Sequence, residues 1–247
     1  MNRYEKNKKL LSESYNYDQS MEHDACGVGM IATTDGKKSR KIVDYGIEAL
    51  KAIWHRGAVD ADGKSGDGAG IQIEIAPEFF KEKIINTGHD PDDEKRICVG
   101  MVFLPRTDYV EQEKCREIIE SVLLEENYSI YGWRQVPINS SVLGKTAEQS
   151  RPEIAQVMFK KNQNLETNDL ERNLFETRKK IEKLARKNQL KNFYICSFSS
   201  RSIVYKGMFL AEMLAEFYPD LNDEKLTSRF AIFHQRYSTN TFPSWNL

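Results

Sequence analysis

Residues 21–32 read MEHDACGVGMIA, and this stretch decides how the rest of the chain is interpreted. Cys26 directly precedes an apolar run in which Gly27 and Gly29 flank Val28, a pattern that predicts a short buried strand. The thiol would then lie at the edge of a sheet, and the two glycines would leave room for a small molecule beside it. A buried structural cysteine is the alternative, because free cysteine is among the most buried residue types.

The composition indicates a globular protein without a strong charge excess. The 247 residues are enough for one domain of moderate size or two small ones. Lys plus Arg number 36 and Asp plus Glu number 37, which argues against a nucleic-acid partner or an anionic membrane surface. The hydrophobic fraction of 40% argues against a disordered chain.

The four cysteines are widely spaced and form no CxxC pair, which argues against a zinc site. Their scatter fits reduced thiols in a cytoplasmic protein better than a disulfide framework. No run approaches the roughly 20 apolar residues that a membrane span needs. Residues 1–25 are polar and lysine-rich and lack the apolar core of a signal peptide, so they are predicted to be either a frayed terminus or a segment that is removed.

Hydrophobic periodicity alone predicts an α+β protein in which buried strands alternate with helices. Helices are predicted over residues 41–55, 77–85, 109–126, 168–189 and 208–217, and strands over residues 71–75, 97–104, 154–159, 193–198, 202–205 and 229–234. Asp108 and Asn168 are predicted N-caps, each with a glutamate three residues later. Residues 128–142 are predicted to be a connection anchored by Trp133.

The segment 60–70, DADGKSGDGAG, is dense in glycine and aspartate. It lacks the GxxxxGK[ST] spacing of a phosphate loop and leads into a strand rather than a helix. We therefore expect a turn that brings the backbone close to another element.

The last predicted strand leads into a second informative stretch, residues 230–245, which reads FAIFHQRYSTNTFPSW. A run of polar residues follows the apolar strand and contains Arg236. Its planar guanidinium can bind a carboxylate through two parallel hydrogen bonds. An ion-paired surface arginine is the alternative interpretation.

Five blocks together resemble the class II glutamine amidotransferases, which use an N-terminal nucleophile, and among them the glutamine-hydrolysing domain of glutamate synthase large subunits. The blocks are HDACGVG at residues 23–29, HRGA at 55–58, DGKSGDGAGI at 62–71, GWRQVP at 132–137 and FHQRYSTNTFPSW at 233–245. They occur in order over essentially the whole chain. The resemblance implies a four-layer αββα sandwich of mainly antiparallel sheets, the N-terminal-nucleophile hydrolase fold.

The resemblance also implies the roles of individual residues. Cys26 would become the first residue after removal of a leader, residues 1–25, and its thiol would attack the side-chain carboxamide of glutamine. Its free α-amino group would act as the base, because an α-amino group titrates near about 7.7–8.0 and is partly neutral at working pH. Arg236 matches the arginine that binds the substrate α-carboxylate, with Thr239 a weaker candidate in the same pocket. Arg56 matches the arginine beside the nucleophile.

His55 and His234, which lie in two of the resembling blocks, are predicted to be hydrogen-bonded structural groups. The resemblance implies a mechanism in which no histidine acts as the base.

The same resemblance sets limits on this segment. The family supplies its oxyanion donors from an Asn-Gly pair downstream of the FPSW block, and this sequence contains no Asn-Gly dipeptide. Losing one such donor typically costs about 10²–10³ in rate, so residues 26–247 are expected to form an incomplete domain with little glutaminase activity of its own.

In full-length relatives the ammonia passes to a flavin-containing synthase domain that aminates 2-oxoglutarate. FMN, an iron–sulfur cluster and a small electron-donor subunit are therefore expected only with the remainder of such an enzyme, and no cofactor or metal is expected in this segment. Two alternatives stay open: an amide hydrolase of the same fold with another substrate, and a catalytically silent domain that binds a partner or regulates.

Overall fold

Two antiparallel sheets with helices packed against them make up the structure, a computed structural model that describes residues 2–14, 26–91, 97–237 and 241–246. The helices are α1 (Arg3–Ser14), α2 (Arg40–Ala52), α3 (Pro77–Ile85), α4 (Tyr109–Glu125), α5 (Lys145–Gln149), α6 (Thr167–Lys187) and α7 (Leu214–Phe217). The strands are β1 (Gly27–Ala32), β2 (Ala69–Glu74), β3 (Cys98–Leu104), β4 (Tyr128–Gln135), β5 (Glu153–Lys161), β6 (Tyr194–Ser199), β7 (Ser202–Gly207) and β8 (Phe230–Gln235). Short 3₁₀ turns span Trp54–Arg56, Ser140–Val142, Ala211–Met213 and Pro219–Asn222.

The first sheet has the strand order β1–β8–β2–β7, and the second sheet has the order β4–β5–β3–β6. Each of these neighbouring pairs is antiparallel. In the first sheet Gln235 is opposite Gly27 on one side and opposite Ala69 on the other. The start of β1, the end of β8 and the start of β2 therefore meet at the same end of the first sheet.

The second sheet is covered on one face by α4 and α6. Their apolar residues form one core with alternate residues of β3 and β5, and Cys115 of α4 is fully part of this core, as predicted. The other face of the second sheet meets the first sheet, where Gln156 lies 3.4 Å from the hydroxyl of Tyr205. Beside it Arg134 donates two hydrogen bonds to the buried carboxylate of Asp220, at 2.7 and 2.5 Å.

Helix α2 packs on the first sheet through Gly46. A Cβ at that position would lie 2.6 Å from the Cβ of Ala231, so glycine is what permits this close approach. On the opposite face of the same sheet, Val28 and Met30 are 69% and 68% exposed. The first sheet is thus covered on one face and open on the other in the described part of the chain.

The glycine-rich loop before β2 makes the close approach that its sequence predicts. Asp62 accepts hydrogen bonds from the backbone N–H and hydroxyl of Ser65 and from the N–H of Thr146 at the start of α5. The Ser65 hydroxyl oxygen in turn accepts from the N–H of Ala147. The loop therefore caps α5, because its side-chain oxygens accept hydrogen bonds from N–H groups in the first turn that have no partner within the helix.

The predicted α+β class is confirmed, and two packed antiparallel sheets with helices agree with the predicted N-terminal-nucleophile sandwich, although the described part of the chain leaves one face of the first sheet open. The prediction that residues 128–142 form a connection is wrong, because Tyr128–Gln135 is strand β4. A register shift between Ile130 and Gly132, with Gly132 at φ 143°, breaks the alternation from which a strand is recognised. Residues 208–217 are likewise a 3₁₀ turn followed by one short helical turn rather than one helix.

The two predicted N-caps have different outcomes. Asp108 caps α4 by accepting from the N–H of Glu111, as predicted. Asn168 is not a cap, because α6 begins at Thr167 and Glu166 is at the N-cap position without a side-chain hydrogen bond. Glu171 does not complete a capping box but accepts from the hydroxyls of Ser199, the last residue of β6, and of Ser200.

Candidate active site

Cys26 lies directly before β1, at the end of the first sheet where β1, β8 and β2 meet. The residue is partly exposed, so the interpretation as a buried structural cysteine is not supported. Its sulfur accepts a hydrogen bond from the backbone N–H of Tyr237 at 3.5 Å, and its thiol donates to the carbonyl of the same residue at 3.8 Å. Continuing the β1–β8 register by one residue beyond Gly27 and Gln235 sets Cys26 opposite Arg236.

The two glycines after Cys26 serve a different purpose from the one predicted. A Cβ at Gly29 would lie 2.3 Å from the ring of Phe233, and a Cβ at Gly27 would lie 2.6 Å from Cδ1 of Ile53. The space left by these glycines is therefore filled by core side chains and is not left open for a small molecule. Both residues let β1 lie close against the elements that hold Cys26.

Arg56 packs directly beside Gly27, the residue after Cys26. Its Cβ and Cγ would lie 3.2 and 3.3 Å from a Cβ at Gly27. Arg56 ends the 3₁₀ turn Trp54–Arg56 and is exposed. Arg56 thus lies against the residue that follows Cys26, and its role in the site stays a prediction.

Arg236 follows β8 and is fixed through its backbone, whose N–H donates to the carbonyl of Gly68 at 2.8 Å. Nη2 of its guanidinium donates to the hydroxyl of Thr241. Nη1 is buried and has no hydrogen-bond partner among the residues that the structure describes. Thr239, the weaker binding candidate, lies outside the described residues.

A cavity of about 320 Å³ opens beside Arg236 on the open face of the first sheet. Three glycines form much of its wall, and Lys206, His234 and Arg236 supply its charged or titratable groups; the glycines are Gly68, Gly70 and Gly207. A volume of this size is in the range of small-molecule sites.

The electrostatics of the cavity are set by its cations. Burial, together with the charges of Arg236 and Lys206, lowers the pKa of His234 from its ordinary value. Burial also lowers the pKa of Lys206, and Arg236 acts in the same direction. The site therefore favours an anionic group, and His234 is held toward its neutral form.

Neither Lys206 nor Gln235 stands out in the sequence. Lys206 resembles any strand lysine in the sequence, and its place beside Arg236 follows only from the pairing of β7 with β2. Gln235 is buried, with 1% of its surface exposed, and lies between the two strands that carry Cys26 and the glycine-rich loop. In the sequence, the only indication of its importance is its position between a mostly apolar strand and Arg236.

No three residues among His, Cys, Asp and Glu lie together in the described ranges in a way that could hold a metal ion. Within the same ranges, no helix combines the length and apolar character that crossing a bilayer requires.

Comparison with known proteins gives the family. The sequence profile described as "Glutamine amidotransferases class-II" matches residues 26–247. The chain is 54% identical over 241 residues to the glutamate synthase [NADPH] large chain of Azospirillum brasilense, covering 98% of this chain and 16% of that protein. It is 46% identical over 242 residues to the ferredoxin-dependent glutamate synthase of Pyropia yezoensis, covering 97% of this chain and 16% of that protein. The chloroplastic ferredoxin-dependent enzyme of Spinacia oleracea is 41% identical over 227 residues, which cover 92% of this chain and 14% of that protein.

The chain thus spans about a sixth of the length of these curated relatives. The profile covers the residues that form both sheets, and the relatives are glutamate synthases. The chain therefore belongs to the class II glutamine amidotransferases.

Proposed function

We propose that this site hydrolyses glutamine to glutamate and ammonia, with Cys26 as the nucleophile. The observation that carries the proposal is the position of Arg236, whose buried Nη1 lacks a partner among the described residues. Tyr237, the residue after Arg236, donates a backbone hydrogen bond to the sulfur of Cys26. Arg236, with a guanidinium N–H that is unpaired within the described part of the chain, is thus the neighbour in sequence of Tyr237, whose backbone N–H donates to the Cys26 sulfur. This arrangement suits a substrate that has a carboxylate at one end and an amide at the other.

The reaction follows from these two groups. The Cys26 sulfur attacks the δ-carbon of the glutamine carboxamide, and the resulting tetrahedral intermediate loses ammonia as the proton of the thiol is transferred to the leaving nitrogen. The product is a γ-glutamyl thioester. Water then attacks the thioester carbon, releases glutamate and restores the thiol.

The proton carrier in this proposal is the α-amino group of Cys26, which exists only after residues 1–25 are removed. A peptide amide at the same nitrogen has no useful basicity, because its lone pair is delocalised into the carbonyl. The leader would therefore keep the domain inactive, and its removal would produce the nucleophile and its base in one residue. The start of the family match at residue 26 agrees with this division of the chain.

The binding roles are assigned by charge and position. Arg236 would bind the α-carboxylate of glutamine through its Nη1, and Thr239 would assist from the same segment. Arg56 would add positive charge beside Cys26, where charge develops during the attack. The cationic character of the cavity that Lys206 and Arg236 line supports an anionic end of the substrate at this place.

The names of the relatives extend the proposal beyond this segment. In a full-length glutamate synthase of this kind, ammonia from Cys26 would be used by a synthase domain that aminates 2-oxoglutarate. FMN, an iron–sulfur cluster and an electron donor would belong to that remainder, with a pyridine-nucleotide-linked subunit or ferredoxin as the donor by analogy with the relatives' names. We expect the enzyme to work in the cytoplasm.

Labelling with a glutamine-like electrophile, such as a diazo-ketone analogue of glutamine, tests the assignment. Two forms of the chain are compared: one that retains Met1, and one cut so that Cys26 is the first residue. We expect one adduct on Cys26 in the cut form, prevented by excess glutamine, and labelling slower by roughly 10²-fold when the amine is still blocked. Intact mass and peptide mapping measure both.

Arg236→Ala and Arg201→Ala form the matched pair of variants. Arg201 is an exposed arginine at the far end of the first sheet, so its loss should leave the labelling unchanged. Arg236→Ala should abolish protection by glutamine while leaving the thiol reactive toward small electrophiles. Glutamine-insensitive labelling of the cut chain, or an Arg236→Ala variant that glutamine still protects, would contradict the proposed function.

A further inference from the structure

The side chain of Gln235 is buried and all its hydrogen-bonding groups are used. Its Oε1 accepts from the N–H of Ala211 at 3.0 Å. Its Nε2 donates to the carbonyls of Gly68 at 3.2 Å and of Arg236 at 3.3 Å. One N–H donor and two carbonyl acceptors surround the amide, so only this orientation of the amide satisfies every partner.

The bond to the Arg236 carbonyl has a consequence at the other end of the same peptide group. The peptide between Arg236 and Tyr237 is planar and trans, so its C=O and N–H point in opposite directions. Gln235 holds the carbonyl end, and the N–H end donates to the sulfur of Cys26 at 3.5 Å. The rotation of one peptide plane therefore connects the Gln235 amide to the nucleophile.

The same peptide is restrained from its preceding side. The carbonyl of Gly68 accepts from the N–H of Arg236 at 2.8 Å and from Nε2 of Gln235. Gly68 has φ 130°, a conformation that glycine adopts far more easily than other residues. Gln235 and Gly68 together therefore determine the direction of the chain as it leaves β8.

We propose that Gln235 is a positioning residue for Cys26: its amide fixes the Arg236–Tyr237 peptide so that the Tyr237 N–H donates to the nucleophilic sulfur. A sulfur that accepts an N–H bond is stabilised more as a thiolate than as a thiol, and the thiolate is the reactive form. The relevance of this role to glutamine rests on the proposed function. The arrangement itself concerns only the sulfur, so simple alkylation tests it independently of glutamine hydrolysis.

The test compares Gln235→Met with the unmodified 247-residue chain. Methionine matches the length of glutamine but cannot donate to the Arg236 carbonyl, so the peptide is free to rotate. We expect alkylation of Cys26 by iodoacetamide at pH 7.5 to slow by roughly fivefold, and the rise of the alkylation rate with pH to move to higher pH. Mass spectrometry of the peptide that contains Cys26 gives the rate.

Gln72→Met is the matched control. Gln72 lies in the same sheet, and its amide donates to the hydroxyl of Ser202 at the end remote from Cys26. This variant loses one amide hydrogen bond without touching the Arg236–Tyr237 peptide, so its alkylation profile should equal that of the unmodified chain. A Gln235→Met variant that folds and keeps the unmodified rate and pH profile would overturn the proposal.

A second measurement decides the matter if Gln235→Met does not fold. In the unmodified chain, amide hydrogen exchange of Tyr237 should be slowed by its bond to sulfur, and Cys26→Ala should release it. Slowed exchange that Cys26→Ala abolishes supports the proposal. Exchange of Tyr237 at the rate of a free amide, or exchange that Cys26→Ala leaves unchanged, overturns it.

Discussion

Gly57 lies against the side-chain amide of Gln235, and no side chain fits between them. A Cβ at residue 57 would lie 2.3 Å from Nε2 and 2.7 Å from Cδ of Gln235. The backbone of Gly57 is extended, with φ −105° and ψ 149°, which any residue adopts. Glycine is therefore required here because the Gln235 side chain leaves no room for a Cβ. Through this contact the HRGA block packs against the end of β8, the strand that precedes Arg236.

Gly57→Ala should destabilise the fold by about 1–3 kcal/mol, the usual cost of adding a methyl group to a filled core site. The added Cβ would displace the Gln235 amide, so alkylation of Cys26 should slow as well. Urea unfolding and the iodoacetamide rate measure the two effects.

The double variant Gly57→Ala/Gln235→Ala provides the control. Shortening residue 235 removes the atoms that the new Cβ would meet, so Gly57→Ala should cost markedly less in that background. Equal costs in the two backgrounds would show that the contact with Gln235 is not the reason for glycine at this position.

Arg134→Met should cost about 3–5 kcal/mol, because it leaves the carboxylate of Asp220 buried without its ion pair. The side chains of the two residues are 13% and 6% exposed. Arg106 is the matched control, since its pair with Glu148 is far more exposed and Arg106→Met should cost no more than about 1 kcal/mol. Chemical denaturation of both variants gives the comparison, and similar losses in the two would contradict the ranking.

Local rules predicted those parts of the fold whose causes are local. The cap of α4 was predictable because Asp108 bonds an N–H only three residues away. The start of α6 could not be predicted in the same way. Glu171 accepts hydrogen bonds from Ser199 and Ser200, which are distant in the sequence, instead of closing a local capping box. The helix predicted over residues 41–55 ends at Ala52 in the structure, and Trp54 lies in the 3₁₀ turn that follows, where it is 60% exposed.

The site shows the same division between local and non-local causes. Cys26 and Arg236 became candidates because each lies beside an apolar strand and within a block that resembles the family, and their roles stay predictions. Lys206 and Gln235 could not be recognised, since their importance depends on which strands pair and at which register. Cys26 and Arg236 lie just outside strands β1 and β8, whereas Lys206 and Gln235 are paired strand residues whose neighbours are set by the sheet register.

Cys26 should be the one cysteine that iodoacetamide modifies rapidly at pH 8 in the folded chain. Burial raises the pKa of Cys115 and of Cys196 to about 12, which leaves almost no thiolate at that pH. Cys98 has no exposed surface. Peptide mapping after short exposure should find one adduct, and four after unfolding in denaturant. Cys196 is partly exposed, so early modification of it would contradict the raised pKa of its thiol.

Asp62→Asn should lower stability at neutral pH by an amount that disappears in acid. Hydrogen bonds from the Ser65 hydroxyl, and from the backbone N–H groups of Ser65 and Lys64, hold the pKa of the Asp62 carboxyl well below its ordinary value. A carboxyl whose pKa is lowered on folding stabilises the protein above its unfolded pKa of about 3.9, and this contribution is lost as the pH falls through the folded value. The unfolding free energies of the two proteins should therefore differ at pH 7, begin to converge below about pH 4 and approach each other further as the pH falls toward the folded pKa. Asp35→Asn is the control, because Asp35 bonds one N–H within its own turn. A difference between Asp62→Asn and the unmodified chain that stays constant from pH 7 to pH 3 would mean that the charge of Asp62 does not hold this loop against α5.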